Sequence, residues 1–478
     1  MSVVARGSAG DNFEAALAEL SSRVARLEKT VAAQKAEIVR KDSFIVYQQD
    51  RIDELERKLE ESRRAGKRQS SPFRKGDPKA EPKRSGRKAG GAHGRHGHRP
   101  VPERTPDREL EASLPSCCPD CGGVVDHERD AEQWQVDVPE IRPTVTRFRV
   151  GIGRCRACRR RVQGHHSEQT SDALGAAASQ LGPTLKAWGM WLHYRMGLSF
   201  GRVGEVLAHL GVNVTAGAIC QSSAKAASSE LVPVHAELVA RANHSKTITM
   251  DESGWHVGGR GKWLWVAAND EITLCWVADG RGFAQATERI AADYSGVVVR
   301  DGYVVYNHYD KARHQACLAH LARRAREMEA DLPREHRAIP TAAKTLIKDA
   351  FSARDLPSDE RAAAAIELRA RLDSLCERPP GHDDNRRLLN HLADQAPHMF
   401  TFLTTDGVPA TNYHGEQAVR PCAVNRKVWG GNRTWAGADT YGTIVSVLAT
   451  AAKHGIDGID YLAARARSPD PGLAVLLG

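Results

Sequence analysis

The stretch "VVVRDGY", Val297 to Tyr303, decides how this chain is read. Three consecutive valines predict a buried strand, because β-branched side chains suit a pleated, packed surface. Yet the run closes on an arginine, an aspartate and a glycine. An isolated Asp-Gly ordinarily caps a turn. The alternative is a carboxylate held at the end of a rigid strand, where it meets a second carboxylate and a hydrated cation.

The neighbouring elements favour the second reading. From Thr247 the hydrophobic pattern takes on strand period: "TITMDESGWHV", "KWLWVAAN" and "ITLCWVAD" predict a meander of three strands. A helix over "FAQATERIAADY" then leads into the valine run. Strand, strand, strand, helix, strand is the order of a ribonuclease H-like core, in which metal-binding acids sit on the first strand and just beyond the fourth. Asp251 and Asp301 occupy those two places. Mg²⁺ prefers oxygen ligands and keeps waters, which leaves positions for phosphate oxygens. Two such ions about 3.5 to 4 Å apart would activate a water or a 3′-hydroxyl and stabilise the leaving oxygen.

Ahead of this core, residues from about Ser171 to Ala242 are helical in pattern. "LSFGRVGEVLAHLGVNVTAGAICQSSAKAAS" predicts a helix, a break at Gly211, an N-cap at Thr215 and a second helix, which is helix-turn-helix spacing. Many helix pairs with that spacing never meet DNA. Further upstream stand two cysteine pairs, "CCPDC" and "CRAC". C-x-x-C knuckles let four thiolates close on one structural Zn²⁺, here Cys118, Cys121, Cys155 and Cys158, with Cys117 an alternative to Cys118. The alternating residues between the pairs predict a β-ribbon.

The formal net charge of +9 lies entirely between Glu61 and Leu110, where 15 Lys and Arg face 6 Asp and Glu. That segment is rich in Pro, Gly and Ser and nearly free of large apolar residues, so it reads as a linker, a solvated spacer or a basic arm that contacts phosphates. Before it, Leu20, Val24, Leu27, Val31, Ile38, Ile45, Ile52, Leu55 and Leu59 fall on one helical seam, with Gln34, Lys41 and Gln48 at its polar d positions. The seam predicts a coiled coil that self-associates, with packing in cis as the other outcome. No window approaches the ~18 apolar residues of a membrane span, and the N-terminus carries no apolar targeting region, so the expected location is the cytoplasm.

Three blocks carry a family resemblance: "TMDESGWHV", "RDGYVVYNHYDKARHQACLAHLARR" and "ATNYHGEQAVRPCAVNRKVWGGNRTWAGADTYGTIVSVL". They resemble the catalytic blocks of insertion sequence 66 family transposases of the DDE type, and the upstream order is similar too. The resemblance implies an acidic triad of Asp251, Asp301 and Glu416 binding Mg²⁺ or Mn²⁺, and a helical insertion before the last acid. "NYHGEQAVRP" itself reads as a helix start, with Glu416 and Arg420 one turn apart, while Arg420, Arg426 and Lys427 would face phosphate. Arg323 and Arg324 are further DNA-facing candidates. The chain departs from the family's usual pattern at Ser253, at Thr411 to Tyr413 before the glutamate, and in its closing "PGLAVLLG". Cys317 and His320, one helical turn apart, read as packing or as orientation of the second aspartate.

The expected architecture is multidomain α/β: a coiled-coil helix (1–62), a basic disordered linker (63–112), a zinc-binding ribbon (113–165), a helical DNA-binding region (166–243), a ribonuclease H-like core (244–455, insertion about 325–400) and a C-terminal tail (456–478). The expected function is metal-dependent phosphodiester hydrolysis and strand transfer at element ends. Partners would be end and target DNA, a second copy of the chain and small accessory proteins, in a bacterial, nucleoid-associated setting. Neither a tyrosine nucleophile with a His-hydrophobic-His metal site nor a serine recombinase centre is found in the sequence. The alternative is a catalytically inactive DNA-binding or regulatory derivative.

Overall fold

The computed structural model describes residues 16–35, residues 37–39, 41, 42, 45, 48, 49 and 52, and residues 100–468. By its internal contacts the chain divides into two units, residues 1–86 and 87–478. In the first unit every described residue is helical and exposed, including the seam residues Leu20, Val24, Leu27, Val31, Ile38, Ile45 and Ile52. Leu55 and Leu59, most of the basic linker and the closing ten residues lie outside the described residues.

The second unit opens with the cysteine pairs. β1 (Ile152–Arg154) and β2 (Arg161–Gln163) pair antiparallel, with Gly153 opposite Val162. The ribbon therefore closes around the second cysteine pair. It does not form between the two pairs, where Val136, Val138, Ile141 and Val145 stand exposed and residues 125–151 hold no strand. The alternation there was real, but a strand needs a partner, and only the hairpin across Cys155 to Arg160 supplies one.

Four helices follow: α1 (Pro183–Met190), α2 (Phe200–His209), α3 (Ala216–Ser228) and α4 (Val232–His244). Gly211 takes φ +81°, and Thr215 accepts the Ala218 N–H at 3.2 Å to start α3. Both features were legible in the sequence. Val203 and Leu207 of α2 meet Ile219 of α3 and Leu192 in a small core of their own.

The main sheet has the order β5-β4-β3-β6-β7. β3 (Thr247–Val257), β4 (Arg260–Ala268) and β5 (Thr273–Ala278) form the antiparallel meander, and β6 (Val297–Arg300) and β7 (Arg313–Ala316) run parallel to β3. The helix expected over residues 283–294 lasts only from Phe283 to Ala286. Side chains take the backbone groups a longer helix would need: Asn243 of α4 donates to the Arg289 carbonyl and accepts from the Ala291 N–H, while Trp276 Nε1 donates to the Gln285 carbonyl.

The valine strand lies between two cores, which explains its unbroken apolar run. Val298 packs with Ile248, Leu264 and Trp276, and Val297 and Val299 pack with Ala316, Leu318 and Leu346 on the other side. The second core belongs to the helical insertion: α5 (Leu318–Asp331), α6 (Ala338–Ala353), α7 (Ser358–Cys376) and α8 (Asp383–Gln395). The chain then returns to the sheet as α9 (Tyr413–Trp429), which crosses β3 and β4, and α10 (Trp435–Lys453), which packs on β5. Within the segment expected to be a tail, α11 (Gly458–Arg467) buries Ile459, Tyr461 and Leu462 and lies against α1.

Candidate active site

β3 and β6 pair in parallel only as far as Thr249 opposite Val299. Beyond that point β3 continues with β4 alone, so the sheet opens at the carboxyl end of β6. Asp251 sits two residues past the last parallel pair, and Asp301 directly follows Arg300, the last residue of β6. Arg300 itself is buried and donates through Nη1 to the Asp301 carbonyl at 3.0 Å and to Gln395 Oε1 of α8 at 2.7 Å. The charge pair that closes the valine run thus divides its roles: the arginine anchors inward and the aspartate stands at the opening.

The carboxylates are fixed by backbone donors. Asp251 Oδ1 accepts the Glu252 N–H at 2.9 Å, and Asp301 Oδ1 accepts the Tyr303 N–H at 2.8 Å. The third acid arrives on α9, where Asn412 is the N-cap residue and Glu416 lies in the first turn. A side chain at Gly415 would put its Cβ 2.7 Å from Asn412 Oδ1 and 3.1 Å from both Asp251 Cβ and Thr249 Cγ2. The helix can lie this close to β3 only because position 415 is glycine. At the other end of α9, Gly431 takes φ +102° with His256 O 2.5 Å from its Cβ position, and Asn432 ties back to Trp255 Nε1 and to the His256 carbonyl.

Burial pushes the Asp251 carboxyl well above the ordinary carboxylate range, and repulsion from Glu252, Asp301 and Glu416 adds to the shift, against the Glu252 N–H. Asp251 is therefore within electrostatic reach of both other sequence-derived acids, Asp301 and Glu416. Hard oxygen donors of this kind fit Mg²⁺ or Mn²⁺. Among the described residues, no three His, Cys, Asp or Glu side chains stand at the spacing that holds one metal ion. The carboxylates share a region without forming a closed ligand cage.

His320 meets the third acid, while Cys317 links the end of β6 to the start of α9, its N–H donating to the Arg300 carbonyl at 2.9 Å. Cys317 Sγ accepts the Asn412 N–H at 3.2 Å, and His320 Nε2 stands 3.5 Å from Glu416 Oε1. Burial pushes the Cys317 thiol up to about 11. Arg323 and Arg324 follow one turn along α5 from His320, and Arg324 donates to the Arg387 carbonyl at 3.5 Å. On α9, Arg420 and Lys427 face outward, whereas Arg426 is half-buried and lies over β3, its Nη1 3.1 Å from the Cβ position of Gly254.

Sequence reasoning missed Glu252, Arg281, Tyr303 and Tyr306. Glu252 is nearly fully enclosed, accepting Arg281 Nε at 2.8 Å on Oε1 and the Tyr306 hydroxyl on Oε2. Burial raises the Glu252 carboxyl, and repulsion from Asp301 raises it further. Its neighbour Asp251 drew the attention because alternation sends the two to opposite faces of β3. His391 of the insertion was missed as well: its ring stands 2.8 Å from the Cβ position of Gly302.

The cysteine pairs form two like turns. Cys118 N–H bonds to Gly123 O and Gly122 N–H to Cys118 O, and the same two bonds link Cys155 with Arg160 and Arg159. Gly122 and Arg159 both take positive φ, +73° and +60°. The N–H groups of Asp120 and Cys121 hold the Cys118 thiol below its ordinary value, and those of Cys158 and Ala157 do the same for Cys155. Among the described residues the two pairs do not close into one four-thiol group.

Comparison with known proteins fits this geometry. A family model described as "Transposase IS66 family" matches residues 178–440, more than half of the chain. The chain belongs to the IS66 transposase family. The matched span holds Asp251, Asp301 and Glu416, and the cysteine pairs of this family member lie before it. A further relative, the uncharacterized protein y4qI of Sinorhizobium fredii (strain NBRC 101917 / NGR234), is 25% identical over 242 residues, 43% of this chain and 44% of the relative. This IS66 family chain thus matches less than half the length of that relative. Among the described residues, no helix is long and apolar enough to cross a membrane.

Proposed function

We propose that this IS66 family transposase is a DDE enzyme that binds element ends, hydrolyses a phosphodiester to free a 3′-hydroxyl and joins that hydroxyl to target DNA. The observation that carries this reading is the placement of Asp251 on β3, Asp301 just past β6 and Glu416 in the first turn of α9, with both other acids close enough to repel the Asp251 carboxylate, a repulsion that a dication would relieve. When bound, Mg²⁺ or Mn²⁺ supplies the activation of water or hydroxyl and the stabilisation of the leaving oxygen. Asp251 and Asp301 act as oxygen ligands held by backbone donors, and Glu416 joins them with His320 beside it. Arg420, Arg426 and Lys427 on α9, with Arg323 and Arg324 on α5, contact DNA phosphates near the acids. The five-stranded sheet serves as a ribonuclease H-like scaffold, and α2 and α3 act as a helix-turn-helix. Excision and joining in cells, with the gene's native flanking DNA, test the reading. Joined products from the wild type support it, and their absence with flank binding retained points to a missing accessory protein or a binding-only derivative.

Two further parts of the reading concern assembly. The like turns at Cys118 and Cys155, with their lowered thiols, support one structural Zn²⁺ shared by Cys118, Cys121, Cys155 and Cys158. Elemental analysis of purified protein should give one zinc per chain, and a folded protein without zinc would refute the site. The exposed seam of the N-terminal helix supports self-association into a dimer or higher state. Removing residues 1–60 should lower the mass seen by light scattering, and an unchanged mass would count against the coiled coil.

A further inference from the structure

Asp251 lies on β3 and Asp301 just past the end of β6, and nothing in their own hydrogen bonds holds them at a common spacing. Glu252, Arg281 and Tyr303 do. We propose that these three residues form a positioning clamp that sets the distance between Asp251 and Asp301; the inference rests on the reading of those two acids as metal ligands.

The clamp runs from strand to strand through named contacts. Glu252 shares its backbone with Asp251 and takes two Arg281 nitrogens on Oε1. Arg281 lies between the end of β5 and the short helix at Phe283, so it bridges to β3 from outside. Its guanidinium is sandwiched over two rings, 4.8 Å from the centroid of Trp263 on β4 and 3.8 Å from that of Tyr303. Tyr303 returns the contact, its hydroxyl donating to the Arg281 carbonyl at 2.7 Å, and its N–H fixes Asp301 Oδ1 at 2.8 Å. The loop after β6 grips Glu252 a second time, through the Tyr306 hydroxyl on Oε2.

Two features separate this from ordinary packing. Both oxygens of Glu252 are occupied by protein donors, so this buried carboxylate positions and does not ligate. Arg281 also neutralises Glu252, leaving the charge of Asp251, Asp301 and Glu416 for a dication. Removing the guanidinium would leave Glu252 without its ion pair and free the Tyr303 ring, so that Asp301 could retreat from Asp251.

The test uses the full chain and Mn²⁺ as probe. Free Mn²⁺ is counted by electron paramagnetic resonance, and nicking of native flanking DNA is followed against Mn²⁺ concentration. The variants are Arg281→Met, Arg281→Lys, Tyr303→Leu and the Met/Leu double, with Asp301→Asn as control. Arg281→Met and Tyr303→Leu should each weaken Mn²⁺ binding about 10- to 100-fold, as loss of supporting partners does at metal sites. Saturating Mn²⁺ should restore most of the nicking rate, and the double variant should be no weaker than the worse single, because both break one stack. Arg281→Lys, which keeps the charge and the fold, should fall between wild type and Arg281→Met. Unchanged Mn²⁺ binding in Arg281→Lys and in folded Arg281→Met, or singles whose effects multiply, would overturn the clamp. If Asp301→Asn itself keeps Mn²⁺ binding and nicking, the metal-site reading falls; if it loses both while the Arg281 variants lose neither, only the clamp falls.

Discussion

Asp301→Asn should lower strand cleavage by about 10³-fold or more while leaving the fold and end binding intact. A metal ion at a phosphoryl centre supplies several kcal/mol of transition-state stabilisation, and each ~1.4 kcal/mol is a factor of ten in rate. Asparagine keeps the shape of the side chain and the acceptor oxygen that takes the Tyr303 N–H at 2.8 Å. What it removes is the charge that binds a cation. Asp301 is also only half-buried at the sheet's opening, so the substitution creates no cavity. Single-turnover cleavage of labelled flanking DNA, beside a thermal melt and a binding titration, separates these effects. Cleavage within about tenfold of wild type would remove Asp301 from the site, since an essential metal ligand is worth more than that.

Gly415→Ala should cost about 10²-fold in cleavage, for a geometric reason. The added Cβ would fall 2.7 Å from Asn412 Oδ1 and 3.1 Å from Asp251 Cβ. Both neighbours are confined: Asn412 is buried at the start of α9, and Asp251 sits within the paired part of β3 and β4. The first turn of α9 must lift from the sheet, and Glu416, the next residue, moves with it. A displacement near 1 Å at a catalytic group can cost about 10²-fold. Overpacking of this kind also costs about 1 to 3 kcal/mol of stability, so a melt should show a lower midpoint with a cooperative transition. A variant with wild-type cleavage would mean that the contact between helix and strand does not position the third acid.

Much of the scaffold was legible because its signals are local. "TITMDESGWHV" marks β3 from end to end, Gly211 and Thr215 mark the turn between α2 and α3, and "NYHGEQ" marks the start of α9. Each depends on side-chain period or backbone chemistry within a few residues. β7 was not anticipated, because "RHQA" has no alternation of its own. It becomes a strand by parallel pairing with β6, and its buried Gln315 is satisfied by the Met399 carbonyl and the Phe402 N–H of the insertion. The one-turn helix at Phe283 shares that cause, since Asn243 takes the Arg289 carbonyl, 46 residues away, and the Ala291 N–H, 48 away.

A run of valines closing on Asp301 and a strand bearing Asp251 are properties of short segments, so the placement of these charges along the chain could be read directly from residue order. The family could be read the same way, through blocks whose residue types and order suffice. Which residues stand side by side depends on how distant segments pack. Glu252 meets Arg281, 29 residues away, Cys317 meets Asn412, 95 away, and Trp255 meets Asn432, 177 away. Contacts of that separation arise when cores pack and sheets order themselves, and no period in the chain encodes them.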